Sequence, residues 1–143
     1  MSEKLTAMIK LHEGLRLKPY KCSAGKLTIG YGRNLDDVGI TPMEADYLLG
    51  HDIRKAITDV QHIFGAAFLE TIGIPRASVL VDMCFNLGVN RLKGFKKMIA
   101  AVKDRDFEKA ADEMMDSKWA VQVGSRATRL EGMMRTNEWY KSI

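Results

Sequence analysis

The strongest local constraint in the chain is the run Thr41, Pro42, Met43, Glu44. Threonine at an N-cap, proline at the first helical position and glutamate at the third form a capping box, which fixes where a helix must begin. Ala45, Leu48, Leu49, Asp52, Ile53, Ala56, Ile57, Val60 and Ile63 follow at helical spacing. The pattern predicts a helix from about 42 to 62, about 30 Å long. A helix of that length separates a glycine-punctuated stretch before it from helix-period sequence after it.

Residues 3–12 place Leu5, Met8, Ile9 and His12 on one side at spacings of three and four, with Ser2 as N-cap and Gly14 as stop. Glu13 then stands at the C-terminal edge of that helix, where the macrodipole disfavours a negative charge. Residues 17–35 read as two or three short antiparallel strands, with turns near Ser23–Gly25 and Asn34–Asp37. In an alternating strand, Leu27, Ile29 and Tyr31 take one face and Thr28 the other. Gly30 and Gly32 flank Tyr31 and permit close approach of backbone to a neighbour. So small a sheet must lean on helices.

Beyond the long helix, Phe64 to Gly73 reads as a short helix or irregular connection. Pro75 opens a run through Leu87 in which only Arg76 and Asp82 are charged, the expected centre of the core. Gly88 ends it. Further helices are expected around Phe95–Val102, around Phe107–Met115 and from about Ser125. Glu108, Asp112, Glu113 and Asp116 read as a solvated acidic face. With no internal repeat, the composite is an α+β chain: mainly helical, with a small antiparallel β-sheet lobe.

At 143 residues, one core can form without metal or disulfide staples, burying roughly 68% of the extended chain's surface. The formal charge is +4, and between residues 10 and 33 six bases face Glu13 alone. That bias favours anionic partners such as nucleic acid, anionic lipid or an acidic wall polymer. No apolar run is long enough to span a membrane, and residues 1–12 lack the pattern of a secretory signal. Cys22 and Cys84 lie in unlike settings, so free thiols are the simpler expectation than a disulfide.

The chemistry-bearing candidates come from the stretch before the long helix. Between residues 10 and 33 Glu13 is the one carboxylate among bases, and a hairpin returns the Thr28 hydroxyl. Glu13 can equally be a solvated helix end, and Thr28 an ordinary strand threonine. Cys22 lacks a histidine motif that would make it a nucleophile, and two cysteines with three scattered histidines lack metal-ligand spacing. The Gly30 and Gly32 pair lacks the rest of a phosphate loop. Arg126, Arg129 and Arg135 keep nucleic-acid binding as an alternative, although Glu131 interrupts them.

Glu13, Gly14, Tyr20, Cys22, Gly25, Thr28, Gly30 and Gly32, with nine residues from Glu13 to Cys22 and six from there to Thr28, resemble the phage-type lysozymes or endolysins of glycoside hydrolase family 24. Phe85-Asn86-Leu87-Gly88, Gly94-Phe95, Ser117-Lys118-Trp119 and Ser125 to Arg129 extend the resemblance along the chain. It implies one lysozyme-like domain: a small sheet-bearing lobe over about 14–50, a bridging helix over about 42–62, and a helical lobe over about 63–143 that includes residues 1–12. The stretch between Arg33 and Thr41 is shorter than in T4-like members.

The resemblance implies cleavage of the β-1,4 bond between N-acetylmuramic acid and N-acetylglucosamine in peptidoglycan, by a monomer with no cofactor or metal, no nucleic-acid partner and no stable membrane insertion. Glu13 would be the general acid, and Thr28 would position the attacking water. Cys22 stands where T4-like members carry Asp; its thiol is expected to ionise more readily if Lys18, Lys21 and Lys26 act on it. Tyr20 and Gly32 would support the substrate, and Arg126 resembles the arginine that pairs with the catalytic Glu. Arg33 stands where T4-like members have His, and an Arg33–Asp52 ion pair is expected. A lytic transglycosylase or a non-catalytic wall-binding protein are the alternatives. Storage in the host cytoplasm before holin-assisted access to the wall is the implied route.

Overall fold

A computed structural model describes residues 2–142. In chain order it comprises α1 (Glu3–Glu13), β1 (Arg16–Lys21), β2 (Leu27–Gly30), β3 (Arg33–Asn34), α2 (Pro42–Phe64), α3 (Ala66–Ile72), α4 (Ile74–Leu87), α5 (Val89–Lys93), α6 (Lys96–Lys103), α7 (Phe107–Met115), α8 (Lys118–Val123) and α9 (Ser125–Thr136). The chain divides into two compact units, one through Leu48 and one from Leu49, with the boundary inside α2. Helix α1 counts with the sheet in the first unit, whereas the sequence reading groups residues 1–12 with the later helices.

The first unit is built on turns rather than on a core. Its sheet has the order β1-β2-β3, all antiparallel, with Tyr20 opposite Thr28 and Ile29 opposite Arg33. The β1–β2 hairpin closes through Cys22 N–H to Lys26 O (2.9 Å) and Gly25 N–H to Cys22 O (2.8 Å), and Gly25 supplies the positive φ of +76° this turn needs. The following loop folds back on β2: Leu27 N–H donates to Asp36 Oδ2 (2.7 Å), and Lys26 Nζ to Asp37 Oδ1 (3.1 Å). Along β2, Thr28 is the buried position, at 3% exposure, while Leu27 is 36% exposed and Ile29 is part-buried.

The predicted capping box opens α2: Thr41 Oγ1 accepts from Glu44 N–H (3.2 Å), and Glu44 Oε1 accepts from Thr41 N–H (3.0 Å).

In the second unit the core gathers on α4, whose Val79, Leu80 and Met83 are fully buried, together with Val60 from α2, Leu92 from α5, Met98 and Val102 from α6, Met114 from α7 and Met134 from α9. The short helix α5 had no signal of its own. Helix α9 is capped by Gly124, with no side-chain cap bond. Two features of the surface differ from expectation. Glu108 and Asp112 are not merely solvated: with Glu131 they surround the Arg135 guanidinium, tying α7 to α9, and its pKa is raised by these hydrogen bonds, the one from Asp112 foremost. Consequently the three arginines of the C-terminal stretch are engaged, with Arg126 on Asp82 and Arg129 over the Tyr140 ring.

Candidate active site

Glu13 is the last residue of α1. Gly14 stops the helix at a φ of +72°, and its N–H bonds Lys10 O at 2.9 Å. The turn joining β2 to β3 lies against this helix end. A Cβ placed on Gly32 would stand 2.5 Å from Glu13 Oε2, so the carboxyl rests on the bare Cα of that glycine. Lys10 Nζ sits 5.3 Å from the centre of the Tyr31 ring, a second tie between α1 and the same turn.

Cys22 and Thr28 form the next part of the site. Cys22 is half-buried and free, like the buried Cys84. Its thiol is held below the ordinary range first by the backbone N–H of Lys26, then by that of Ala24, with a smaller contribution from the Thr28 hydroxyl; burial works the other way. The cause is thus backbone donors of the hairpin turn, and not the lysine ammonium groups expected to supply it. Thr28 Oγ1 donates to Lys26 O at 2.9 Å. Tyr20 stands opposite Thr28 in the ladder, and its ring carries the Arg16 guanidinium at 4.5 Å.

Arg33 is engaged by Glu44, not by the expected Asp52. Both guanidinium ends are occupied, Nη1 on Oε1 (3.0 Å) and Nη2 on Oε2 (2.8 Å), while Nη1 also reaches Gly39 O (3.0 Å). The reason is local: Glu44 is already fixed at the third position of the capping box, and its remaining lone pairs match the guanidinium fork. Its carboxyl is pulled down to about 2, chiefly by the Arg33 bond and then by Thr41.

The other expected site residues belong to the second unit. Arg126 Nε donates to Asp82 Oδ1 at 2.8 Å, beside a groove of about 360 Å³ walled by Leu49, Ile53, Ile57, Val81 and Phe85. Asp52 lines a separate pocket with Lys55, Asp59 and Cys84. Among the described residues no group of His, Cys, Asp and Glu is placed to hold a metal ion.

The site thus pairs an acid at a glycine-lined helix end with a hairpin carrying a thiol and a hydroxyl, and the model of one family, phage lysozyme, matches residues 10–138. The chain belongs to the phage lysozyme family. It is 31% identical to an endolysin of Acyrthosiphon pisum secondary endosymbiont phage 1, over 100% of this chain and 96% of that protein. It is 26% identical to probable T4-type lysozyme 2 of Dictyostelium discoideum, over 95% of this chain and 96% of that one. A 27% identical match to the pre-baseplate central spike protein Gp5 of Enterobacteria phage T4 covers 92% of this chain but 28% of the spike protein. Within the phage lysozyme family this chain is a lysozyme-type glycosidase with the α+β lysozyme-like fold, and peptidoglycan is the family's substrate class.

Two carboxylates have partners that the sequence reading does not give them. Glu44 had been read as a cap alone. Asp82 had been noted as a charge on an apolar helix, and that was the available signal, since a charge in such a place needs a partner.

Proposed function

We propose that this phage lysozyme is an endolysin that hydrolyses the β-1,4 bond between N-acetylmuramic acid and N-acetylglucosamine, releasing phage by lysis of the host. Glu13 is the general acid: its carboxyl proton passes to the bridging oxygen as the glycosidic bond breaks. Water adds to the sugar carbon left behind, Thr28 positions it, and Cys22, acting as the thiolate, takes up its proton and becomes the thiol. Tyr20 and Gly32 line the site. The enzyme acts as a monomer without cofactor or metal, held in the host cytoplasm until a holin gives access to the wall.

The observation that carries this reading is the seating of the Glu13 carboxyl on Gly32, within a family match that spans both. Replacing Glu13 by Gln keeps the shape and removes the proton. Lysis of outer-membrane-permeabilised cells should then fall by at least about 100-fold, the lower end of what one positioned acid supplies. An unchanged lytic rate would remove Glu13 from its role. Mass spectrometry of digested wall identifies the chemistry: reducing ends signify hydrolysis, 1,6-anhydromuramyl ends a transglycosylase.

A further inference from the structure

The catalytic assignment leaves one well-built cluster unused, the arginine that directly follows Gly32. Its guanidinium joins three segments at one point: β3, which carries it; the loop after β3, through Gly39 O; and the first turn of α2, through both oxygens of Glu44. Glu44 is itself fixed by its reciprocal bonds with Thr41. A two-pronged guanidinium–carboxylate pair fixes direction as well as separation, unlike a lysine at the same place.

The residue just before this short strand, Gly32, is the surface on which Glu13 rests. Arg33 pairs with Ile29 in the ladder, so its backbone is tied to β2, and Gly32 precedes it by one peptide. The space between Gly32 and the carboxyl is already less than a methyl group requires. A small slide of β3 therefore changes what the acid touches. Pairing of the two residues of β3 and the bond from Leu35 N–H to Leu27 O (2.7 Å) hold the backbone to β2, and the side-chain clamp adds a restraint on direction from the first turn of α2.

We propose that Arg33 and Glu44 are positioning residues for the glycosidase reaction, holding the Gly32 backbone against the Glu13 carboxyl and so fixing the direction in which the acid presents its proton. This rests on Glu13 being the general acid. Neither residue touches the reacting atoms; they act through the placement of one glycine. Misplacement of a catalytic group by a fraction of an ångström is felt mainly in kcat.

The test is steady-state kinetics of the full chain on a soluble, uncross-linked oligosaccharide of alternating N-acetylmuramic acid and N-acetylglucosamine. The variants are Arg33→Met, Arg33→Lys, Glu44→Gln, the double variant Arg33→Met/Glu44→Gln, and Glu13→Gln. Glutamine at position 44 still serves the capping box, so the start of α2 is kept. Rates are taken at a temperature where circular dichroism shows each variant folded; if Arg33→Met does not fold, Arg33→Lys and Glu44→Gln carry the test.

Arg33→Met and Glu44→Gln should each lower kcat by about 5- to 20-fold with KM within about twofold, which is the signature of lost orientation and not of lost binding. Arg33→Lys should recover part of the loss, and the double variant should be no slower than the worse single. Wild-type kcat in folded clamp variants, a loss confined to KM, or losses that multiply in the double variant would each overturn the proposal. If Glu13→Gln is inactive while the clamp variants keep wild-type kcat, the clamp alone falls. If Glu13→Gln keeps its rate, the catalytic assignment falls and the clamp with it.

Discussion

The carboxyl of Glu13 lies on the Cα of Gly32, with room for a hydrogen atom and none for a methyl group. Gly32 also has a φ of +76°, so a side chain there is strained even before it meets the acid. Gly32→Ala must displace either the carboxyl or the turn. We expect lytic kcat to fall by at least about 10-fold, since a reacting group moved by an ångström can cost about 100-fold. Gly30→Ala provides the comparison: its φ is +69° but nothing stands within 4 Å of the added carbon. The two variants share the backbone strain and differ in contact with the acid, so a kcat deficit confined to Gly32→Ala is the expected result in permeabilised-cell assays.

The hairpin turn lowers the Cys22 thiol, whereas burial pushes the Cys84 thiol up. The pH dependence of alkylation by iodoacetamide should show this directly. Thiolate is the reactive form, so the rate midpoint at Cys22 should lie below the ordinary thiol value of about 8.5. Thr28→Val should move it upward, by less than the full lowering, because the Lys26 and Ala24 backbone donors remain. Cys84, 3% exposed, should label only on unfolding. Peptide mass mapping distinguishes the two sites.

Glu44 makes the first unit sensitive to acid. Its folded carboxyl titrates near 2 against an ordinary value of 4.5, because Arg33 and Thr41 hydrogen-bond the ionised form. Between those values the unfolded chain binds more protons than the folded one, so the stabilisation is complete above about pH 4.5 and is lost as pH falls toward 2. Glu44→Gln lacks this titration. Thermal melts followed by circular dichroism should show a deficit in the variant at pH 6 that closes by about pH 2, wild type losing the more Tm on acidification.

Periodicity and capping made the helical frame legible: the box at Thr41–Glu44, the long helix behind it and the apolar run of α4 all stand where the sequence places them. The motif from Glu13 to Gly32 also pointed to the acid and its glycine. What stayed hidden were side-chain partnerships. Alternation sets Thr28 apart from Leu27, Ile29 and Tyr31, but it does not say which face is covered, and Thr28 is the buried one. The Arg33–Asp52 pair is an expectation carried by the family resemblance alone, which does not show that the capping glutamate has lone pairs for a cap and an ion pair together. The two charges of α4 were recognised without their partners, which lie 44 residues on for Asp82 and 58 or 59 for Arg76. Sequence spacing carries no record of such pairings.

Arg76 supplies the sharpest stability prediction for the second unit. The last carbonyls of a helix have no partner within it, and two of those in α9 are served from α4: Arg76 Nε donates to Met134 O (2.8 Å) and Nη2 to Arg135 O (2.9 Å). The guanidinium plane lies 3.8 Å from the centre of the Phe107 ring, so one side chain joins α4, α7 and α9. Desolvation lowers its pKa without making it neutral in any ordinary buffer. Arg76→Met keeps most of the stem and removes both donors, leaving the two carbonyls to find water. That should destabilise the unit by about 1–3 kcal/mol, read as a lower Cm in urea with an unchanged m value. Arg76→Lys should fall between, since an ammonium can serve one carbonyl but cannot fork across both. In folded protein at low temperature, Arg76→Met should retain its glycosidase kcat, because its effect is on the joining of three helices. A variant as stable as wild type would mean that water replaces both donors without cost.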